Sequence, residues 1–147
     1  MKKEKAVQKF LEGYNCAQSI VSAFGTELGL KEKQALMITT GLGAGTNYQG
    51  KTCGAVLGAF IILGLRFGID KADDQEGKLK LRKILDQFSK DFTAEHNSLD
   101  CRDILGLDVS KENELEELRA KNAFREVCPK VVETAARIVD RMLEETD

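Results

Sequence analysis

The sequence is poor in the residues and patterns on which several common active sites depend. Its 147 residues contain one histidine, His96, and one proline, Pro129. A single histidine gives little basis for a Ser/His/Asp hydrolase site. Four cysteines are present, but none of them forms a CxxC pair. The sequence therefore lacks the local signatures of a thioredoxin-type redox pair, a zinc ribbon and a ferredoxin.

An excess of charge of one sign and a membrane-length apolar run are also missing. The net charge is -2, which exerts no long-range attraction on nucleic acid or anionic lipid. The apolar stretch over residues 53–65 is too short to span a bilayer, and the first 15 residues lack the apolar region of a signal peptide. We therefore expect a cytoplasmic protein with reduced thiols, no nucleic-acid partner and no membrane insertion.

What is present is helical periodicity along most of the chain. A length of 147 residues, with 42% hydrophobic and 31% charged residues, fits one globular domain over residues 1–147. Apolar residues recur at helical spacing, and the segment 53–67 is apolar on all sides, which is typical of a buried helix. We predict an all-α, single-domain bundle around a central helix near 53–67. The predicted helical segments are 17–28, 31–42, 53–67, 81–92 and 131–142, with a loop and a weak helix over 106–127.

Two cysteines follow residues that favour the start of a helix. Asn15 is a preferred N-cap residue, which makes Cys16 the first residue of its helix. Thr52 ends a glycine-rich loop and can cap a helix that begins at Cys53. We therefore expect both thiols in the first turn of a helix.

The other two cysteines have similar neighbours. Ser98 is the expected cap of a helix in which Cys101 is the third residue. Pro129 favours the first helical position, which puts Cys128 at the cap. The sequence thus predicts four cysteines at four helix N-termini, gathered at one end of the bundle by folding.

Thiolate chemistry explains this placement best. The N-terminus of a helix stabilises an anion, lowers the pKa of a cysteine there, and so favours the thiolate that acts as nucleophile and metal ligand. Lys51 lies two residues before Cys53 and is a candidate cofactor-binding residue. All four cysteines are candidates for both the catalytic and the metal-ligating role: Cys16, Cys53, Cys101 and Cys128.

Glycines surround the second cysteine. Gly41, Gly43, Gly45 and Gly50 allow backbone N–H groups to approach a sulfur or a cluster. Gly54 and Gly58 form a bare strip on the central helix, either for close packing or as candidate cofactor contacts. The run ELEELRAK is interpreted as a solvated helix face, and His96 either as a solvated side chain or as a further ligand or proton shuttle.

The order GYNCAQ, a glycine-rich stretch, CGAVLG and two further single cysteines resembles the C_GCAxxG_C_C family of redox-active proteins. Its CGAxxG motif is matched by Cys53, Gly54, Ala55 and Gly58, and the resemblance runs from about Gly13 to Cys128. It implies a redox role without a defined reaction. The cysteine pattern is also similar to that in the iron–sulfur part of split-Soret cytochromes. The haem-attachment motif CxxCH is absent, so no covalent haem is implied.

Three hypotheses remain at this point. The first is a redox protein, an oxidoreductase or electron carrier, whose cysteines hold an iron–sulfur cluster or cycle between dithiol and disulfide. The second is a zinc- or other metal-binding module, and the third is a helical interaction protein without cofactor and with inert thiols. The sequence leaves the redox partner unidentified and a homo-oligomeric state open.

Overall fold

The computed structural model describes residues 2–145, which fold into helices joined by turns. These residues contain no β-strand, and a single antiparallel bridge pairs Thr52 with Asp100. The predicted all-α fold is confirmed. The helices in chain order are α1 (Lys2–Leu11), α2 (Cys16–Gly25), α3 (Glu32–Ile38), α4 (Gly43–Thr46), α5 (Gly54–Phe67), α6 (Gln75–His96), α7 (Cys101–Leu105), α8 (Glu112–Ala120) and α9 (Ala123–Glu145).

Helix α5 lies at the centre and packs against α2, α6 and α9. Val56, Ile62 and Leu63 are fully buried, whereas Leu65 near its end is 44% exposed. The predicted central helix is confirmed, but it begins at Gly54 with Cys53 as the N-cap, so the prediction that Thr52 caps a helix beginning at Cys53 is wrong. Within residues 2–145, neither this helix nor any other combines the length and the apolar character needed to cross a membrane.

Glycines on α5 set its distance from α2. A Cβ at Gly58 would lie 3.0 Å from the Ile20 Cβ and 3.2 Å from the Ala17 carbonyl oxygen. A Cβ at Gly54 would lie 3.2 Å from the Ala17 amide nitrogen and 3.3 Å from the Cys16 Cβ. The bare strip predicted from the sequence is therefore the contact face for α2, and it brings Cys16 close to the start of α5.

The long helices α6 and α9 bury the apolar faces that the sequence predicts. Phe88 and Phe92 of α6 and Val131, Ala135 and Ile138 of α9 are all at most 1% exposed. The burial of these side chains supplies the hydrophobic stabilisation that holds both helices against α5, and α9 also against α1.

The start of α9 differs from the prediction. The helix begins at Ala123, after Asn122 with its left-handed φ of +57°, and Pro129 lies inside it. Cys128 is consequently the sixth residue of α9 rather than its cap. The prediction of a helix N-terminus at Cys128 is therefore wrong. A proline in the second turn removes one backbone hydrogen bond, and the buried face of this long helix offsets that loss.

Residues 97–120 form a side unit next to the bundle, with α7 and α8 as its helices. Cys101, Val109 and Leu118 form a small buried cluster that is separate from the main core. The segment 106–127, predicted as a loop and a weak helix, contains α8 and the first residues of α9. The side unit covers the end of the bundle at which α2 and α5 begin.

Candidate functional site

A complete capping box holds Cys16 at the start of α2. The Asn15 side-chain oxygen accepts a hydrogen bond from the Gln18 N–H (2.8 Å), and the Gln18 side-chain oxygen accepts one from the Asn15 N–H (3.0 Å). The Asn15 amide also donates to the carbonyl oxygens of Thr39 and Thr40. The predicted cap is confirmed, and it ties Cys16 to the turn that precedes the glycine loop.

Cys53 stands at the N-cap of α5, where its N–H donates to the Leu99 carbonyl oxygen at 2.8 Å. Its sulfur faces the backbone amides of Ala55 and Val56. Within residues 2–145 the Cys53 side chain forms no short capping hydrogen bond. The two amides therefore act on the sulfur chiefly through their positive partial charge. This is the position at which a helix favours a thiolate.

Cys101 is the first residue of α7, not the third as predicted. Asp100 takes the N-cap position in an extended conformation, and the Ser98 hydroxyl accepts a hydrogen bond from the Asp100 N–H. The predicted cap at Ser98 is therefore wrong. The reason is tertiary, because Asp100 must remain extended to form its bridge with Thr52.

Backbone hydrogen bonds fasten the start of α7 to the end of the glycine loop. The Cys101 N–H donates to the Lys51 carbonyl oxygen at 2.6 Å. The backbone N–H and the Nε of Arg102 both donate to the Gly50 carbonyl oxygen, and Arg102 also pairs with Asp108 at 3.6 Å. Arg102 therefore holds the loop in place next to Cys101.

The glycine loop adopts an unusual backbone where it meets Cys101. Residues 44–48 all have left-handed φ angles, between 51° and 70°. A Cβ at Gly45 would lie 2.6 Å from the Lys51 amide nitrogen and 2.7 Å from the Cys101 Cβ. Left-handed conformations cost roughly 1–2 kcal/mol for each non-glycine residue. The surrounding contacts therefore hold this loop against Cys101 although its backbone conformation is strained.

The structure brings all four cysteines to one cavity of about 420 Å³. Cys16, Cys53 and Cys128 reach it from the main core, and Cys101 reaches it from the side unit. Each cysteine is at most 9% exposed. The cavity nevertheless opens to the surface, because exposed residues also line it: Gly13, Thr40, Asn47, Tyr48 and Arg119.

Cys16 lies next to both Cys53 and Cys128 in this cavity, and both neighbours act on its thiol. The pKa of Cys16 is raised well above its usual value by its hydrogen bonds with Cys128 and Cys53, and burial raises it further. The pKa of Cys53 is lowered, chiefly because the Cys16 thiol donates to its sulfur, and the amides of Ala55 and Val56 add to this against the effect of burial. The two adjacent thiols are therefore unequal.

Burial raises the pKa of the Cys101 thiol to about 12, and the neighbouring Cys53 and Cys128 add to the increase. The interpretation that a helix start lowers the pKa of each cysteine is thus wrong for Cys16 and Cys101. In both, burial and the neighbouring thiols outweigh the helix N-terminus. The interpretation holds for Cys53, because the Cys16 thiol and two backbone amides together lower its pKa.

The other predicted site residues are divided between the cavity and its surroundings. Gly54 lines the cavity, whereas Gly58 lies one turn further along α5 against α2. The Lys51 side chain is exposed and outside the cavity lining, and only its backbone carbonyl meets Cys101. His96 packs on Phe92 and lies 2.8 Å from the Thr134 hydroxyl, also outside the cavity.

Arg119 is a cavity residue that sequence reasoning missed. It belongs to the run interpreted as a solvated helix face, and it is exposed near the end of α8. It nevertheless lines the cavity. Among the described residues that do so, it is the only charged one. No local signal distinguishes it from the other exposed charges of α8, because its position depends on how α8 packs against α9.

The donor set of the cavity suits soft metal ions, since four thiolates are the ligands of zinc and iron–sulfur sites. Within residues 2–145, however, no group of three or more His, Cys, Asp or Glu side chains is arranged as a metal site. Binding of a metal would therefore require the cysteine side chains to move closer to a common point.

Comparison with known proteins agrees with the cysteine pattern. A family model described as "Putative redox-active protein (C_GCAxxG_C_C)" matches residues 14–142, a range that contains all four cysteines. No curated protein and no solved structure matches the chain.

Proposed function

Because the chain belongs to the C_GCAxxG_C_C family of redox-active proteins, we propose that it exchanges electrons by thiol–disulfide chemistry through Cys53 and Cys16. One observation carries this proposal: the Cys53 and Cys16 thiols lie next to each other in a cavity that opens to the surface, and Cys16 lowers the pKa of Cys53. Their unequal pKa values divide the roles, with Cys53 as the attacking thiolate and Cys16 as the thiol that resolves the intermediate.

The reaction has two steps. The Cys53 thiolate attacks one sulfur of an incoming disulfide, so that a mixed disulfide forms, the substrate S–S bond breaks, and one thiolate leaves. Cys16 gives its proton to that thiolate and attacks the Cys53 sulfur. The Cys16–Cys53 disulfide then forms and the second substrate thiolate leaves, to be protonated by solvent. The protein is oxidised by two electrons and the substrate disulfide is reduced by the same two.

The site favours this order of attack. The Ala55 and Val56 amides stabilise the charge on Cys53 before the first step. Cys16 is held by its cap next to the start of α5, so the second step needs little backbone motion. Cys101, with its pKa near 12, remains a thiol throughout the cycle.

Thiol counting tests the proposal. We expect the reduced protein to lose two thiols on treatment with a mild disulfide oxidant and to recover both with dithiothreitol. Cys53→Ser removes the nucleophile and should lose none by this route. Cys101→Ser is the matched control, since it removes an equally buried thiol and should still lose two. A wild type in which no thiol is lost, or a Cys53→Ser variant that behaves like the wild type, would contradict the proposal.

A second candidate rests on the convergence of all four cysteines at one cavity. Cys16, Cys53, Cys101 and Cys128 would then hold an iron–sulfur centre, which supplies one-electron transfer, or a zinc ion, which supplies a structural cross-link. Iron, sulfide and zinc analysis of protein purified without oxygen decides between the candidates. Visible absorbance and bound iron that are mostly lost in Cys53→Ser support the iron–sulfur centre. If the thiols bind no metal and stay inert to oxidant, the remaining hypothesis is a helical interaction protein with inert thiols.

A further inference from the structure

Arg119 has an unusual position for an exposed arginine. It lines the cavity of the four cysteines, and the remaining described residues of that lining are uncharged. Within the part of the chain that the structure describes, its guanidinium makes no ion pair or side-chain hydrogen bond. Arg102, which follows Cys101, is engaged differently, because it pairs with Asp108. Arg119 is thus a cation available to a molecule in the cavity.

The depth of the sulfurs limits what can reach them. Cys53 is 5% exposed and Cys16 is 8% exposed, so a disulfide on the rigid surface of another protein would have to enter the cavity. The cavity of about 420 Å³ has the size of a small-molecule site, which typically measures about 300–1,000 Å³. A small disulfide therefore matches the volume of the cavity that Cys53 lines.

We propose that the substrate of the Cys53–Cys16 pair is a small, negatively charged disulfide whose carboxylate is bound by Arg119. This inference rests on the proposed function and names its substrate class. A guanidinium forms paired hydrogen bonds with a carboxylate, and an arginine on one side of the cavity would orient the S–S bond relative to Cys53. The small disulfide is the oxidant, and its two thiols are the products. A dithiol reductant returns the protein to its starting state.

Three small disulfides of different charge test the proposal: dithiodipropionate is anionic, hydroxyethyl disulfide is neutral and cystamine is cationic. Thiol loss from the reduced protein is measured for each under single-turnover conditions. Each rate is divided by the rate of mercaptoethanol with the same disulfide, which removes the effect of the different leaving groups. We expect normalised rates in the order anionic, neutral, cationic, with a preference that shrinks as salt is added.

Substitution of Arg119 then assigns the preference to one side chain. Arg119→Gln should lower the normalised rate with dithiodipropionate about 10-fold and leave that with hydroxyethyl disulfide within about 2-fold. Arg119→Lys keeps the charge and should retain the order of the three substrates. Arg82→Gln is the matched control. It removes an exposed arginine of α6 that lies outside the cavity lining, and it should change none of the rates.

The outcomes separate the two proposals. Equal normalised rates for the three disulfides, or a charge preference that survives Arg119→Gln, would overturn the assignment of Arg119 and leave the Cys53–Cys16 exchange standing. A protein that reacts with none of the disulfides, or reacts equally well after Cys53→Ser, would overturn the proposed function itself. Arg119 is exposed, so its variants should fold, and circular dichroism checks this.

Discussion

The two walls of the cysteine cavity are built in different ways. The bundle wall carries Cys16, Cys53 and Cys128 on α2, α5 and α9, and packed helices fix these positions. The side wall consists of the loop 43–50 and α7, which carries Cys101, and backbone hydrogen bonds hold it together. The three thiols that act most strongly on one another's pKa all lie on the bundle wall. The bundle wall thus positions the reactive sulfurs, and the side wall forms the other side of the cavity.

Cys53 and Cys101 show what the difference means for chemistry. They are almost equally buried, at 5% and 7% exposed, and each lies at the start of a helix. The pKa of Cys53 is nevertheless lowered, whereas that of Cys101 is raised to about 12. The decisive factor is the thiol of Cys16, which donates to Cys53 and is not among the causes that act on Cys101.

The largest expected effect is therefore a difference in alkylation rate between the two walls. Each pKa unit changes the thiolate fraction about 10-fold, and the greater nucleophilicity of a more basic thiolate offsets about half of this on a logarithmic scale. Near pH 8 we expect Cys53 to react with iodoacetamide at least about 30-fold faster than Cys101. The rate at Cys53 should reach its plateau at a lower pH than that of an ordinary thiol, whereas the rate at Cys101 should still rise toward pH 12.

Peptide mass spectrometry with isotope-labelled reagent measures both sites in one sample. The protein unfolded in guanidinium chloride is the control, because all four cysteines should then react at similar rates. Equal rates at Cys53 and Cys101 in the folded protein would remove the distinction between the walls.

The second prediction concerns the stability of the side wall. Gly45→Ala places a methyl group within 2.7 Å of Cys101 and of the Lys51 backbone, which cannot move without losing hydrogen bonds. We expect the free energy of unfolding to fall by about 3 kcal/mol, measured by urea denaturation. Gly41→Ala is the control, since Gly41 has open space around it, and it should stay within about 0.5 kcal/mol of the wild type. Similar values for the two variants would show that the loop does not need its close approach to Cys101.

A smaller effect is expected on the bundle wall. Gly58→Ala brings a Cβ to 3.0 Å from the Ile20 Cβ. The cost of overpacking should exceed the gain in helix propensity, so we expect the free energy of unfolding to fall by about 1 kcal/mol. Gly64→Ala lies on the same helix with open space around it, so it should stabilise the protein by about 0.5–1 kcal/mol. The opposite signs test whether α2 packs on the glycine strip. A gain in stability from both substitutions would refute that packing.

The bundle wall could be predicted from the sequence to a large extent, because its signals are local. Asn15 with Gln18 three residues later is a capping pattern, and the apolar run after Cys53 predicts a buried helix. The prediction for Cys128 failed on the same wall because Pro129 also fits the second turn of a helix that begins at Ala123. A positional preference for proline is weaker than the burial of a long apolar face.

The side wall could be predicted only in part. The glycines indicate a close approach, but the sequence does not show that Gly45 meets Cys101 or that the Cys101 N–H reaches the Lys51 carbonyl. These contacts join residues about 50 positions apart in the chain. Arg119 was missed for the same reason, since its neighbours in sequence are ordinary surface charges. Tertiary packing alone decides which of them lines the cavity.

Disulfide mapping tests most directly whether Cys53 is the nucleophile and Cys16 its partner. The reduced protein is treated with one equivalent of hydroxyethyl disulfide, quenched in acid, alkylated and digested, and the linked peptides are identified by mass spectrometry. We predict a transient adduct on Cys53, followed by a Cys16–Cys53 disulfide, with Cys101 recovered as a thiol. A first adduct on any other cysteine, or a disulfide that includes Cys101 and leaves Cys53 reduced, would contradict it.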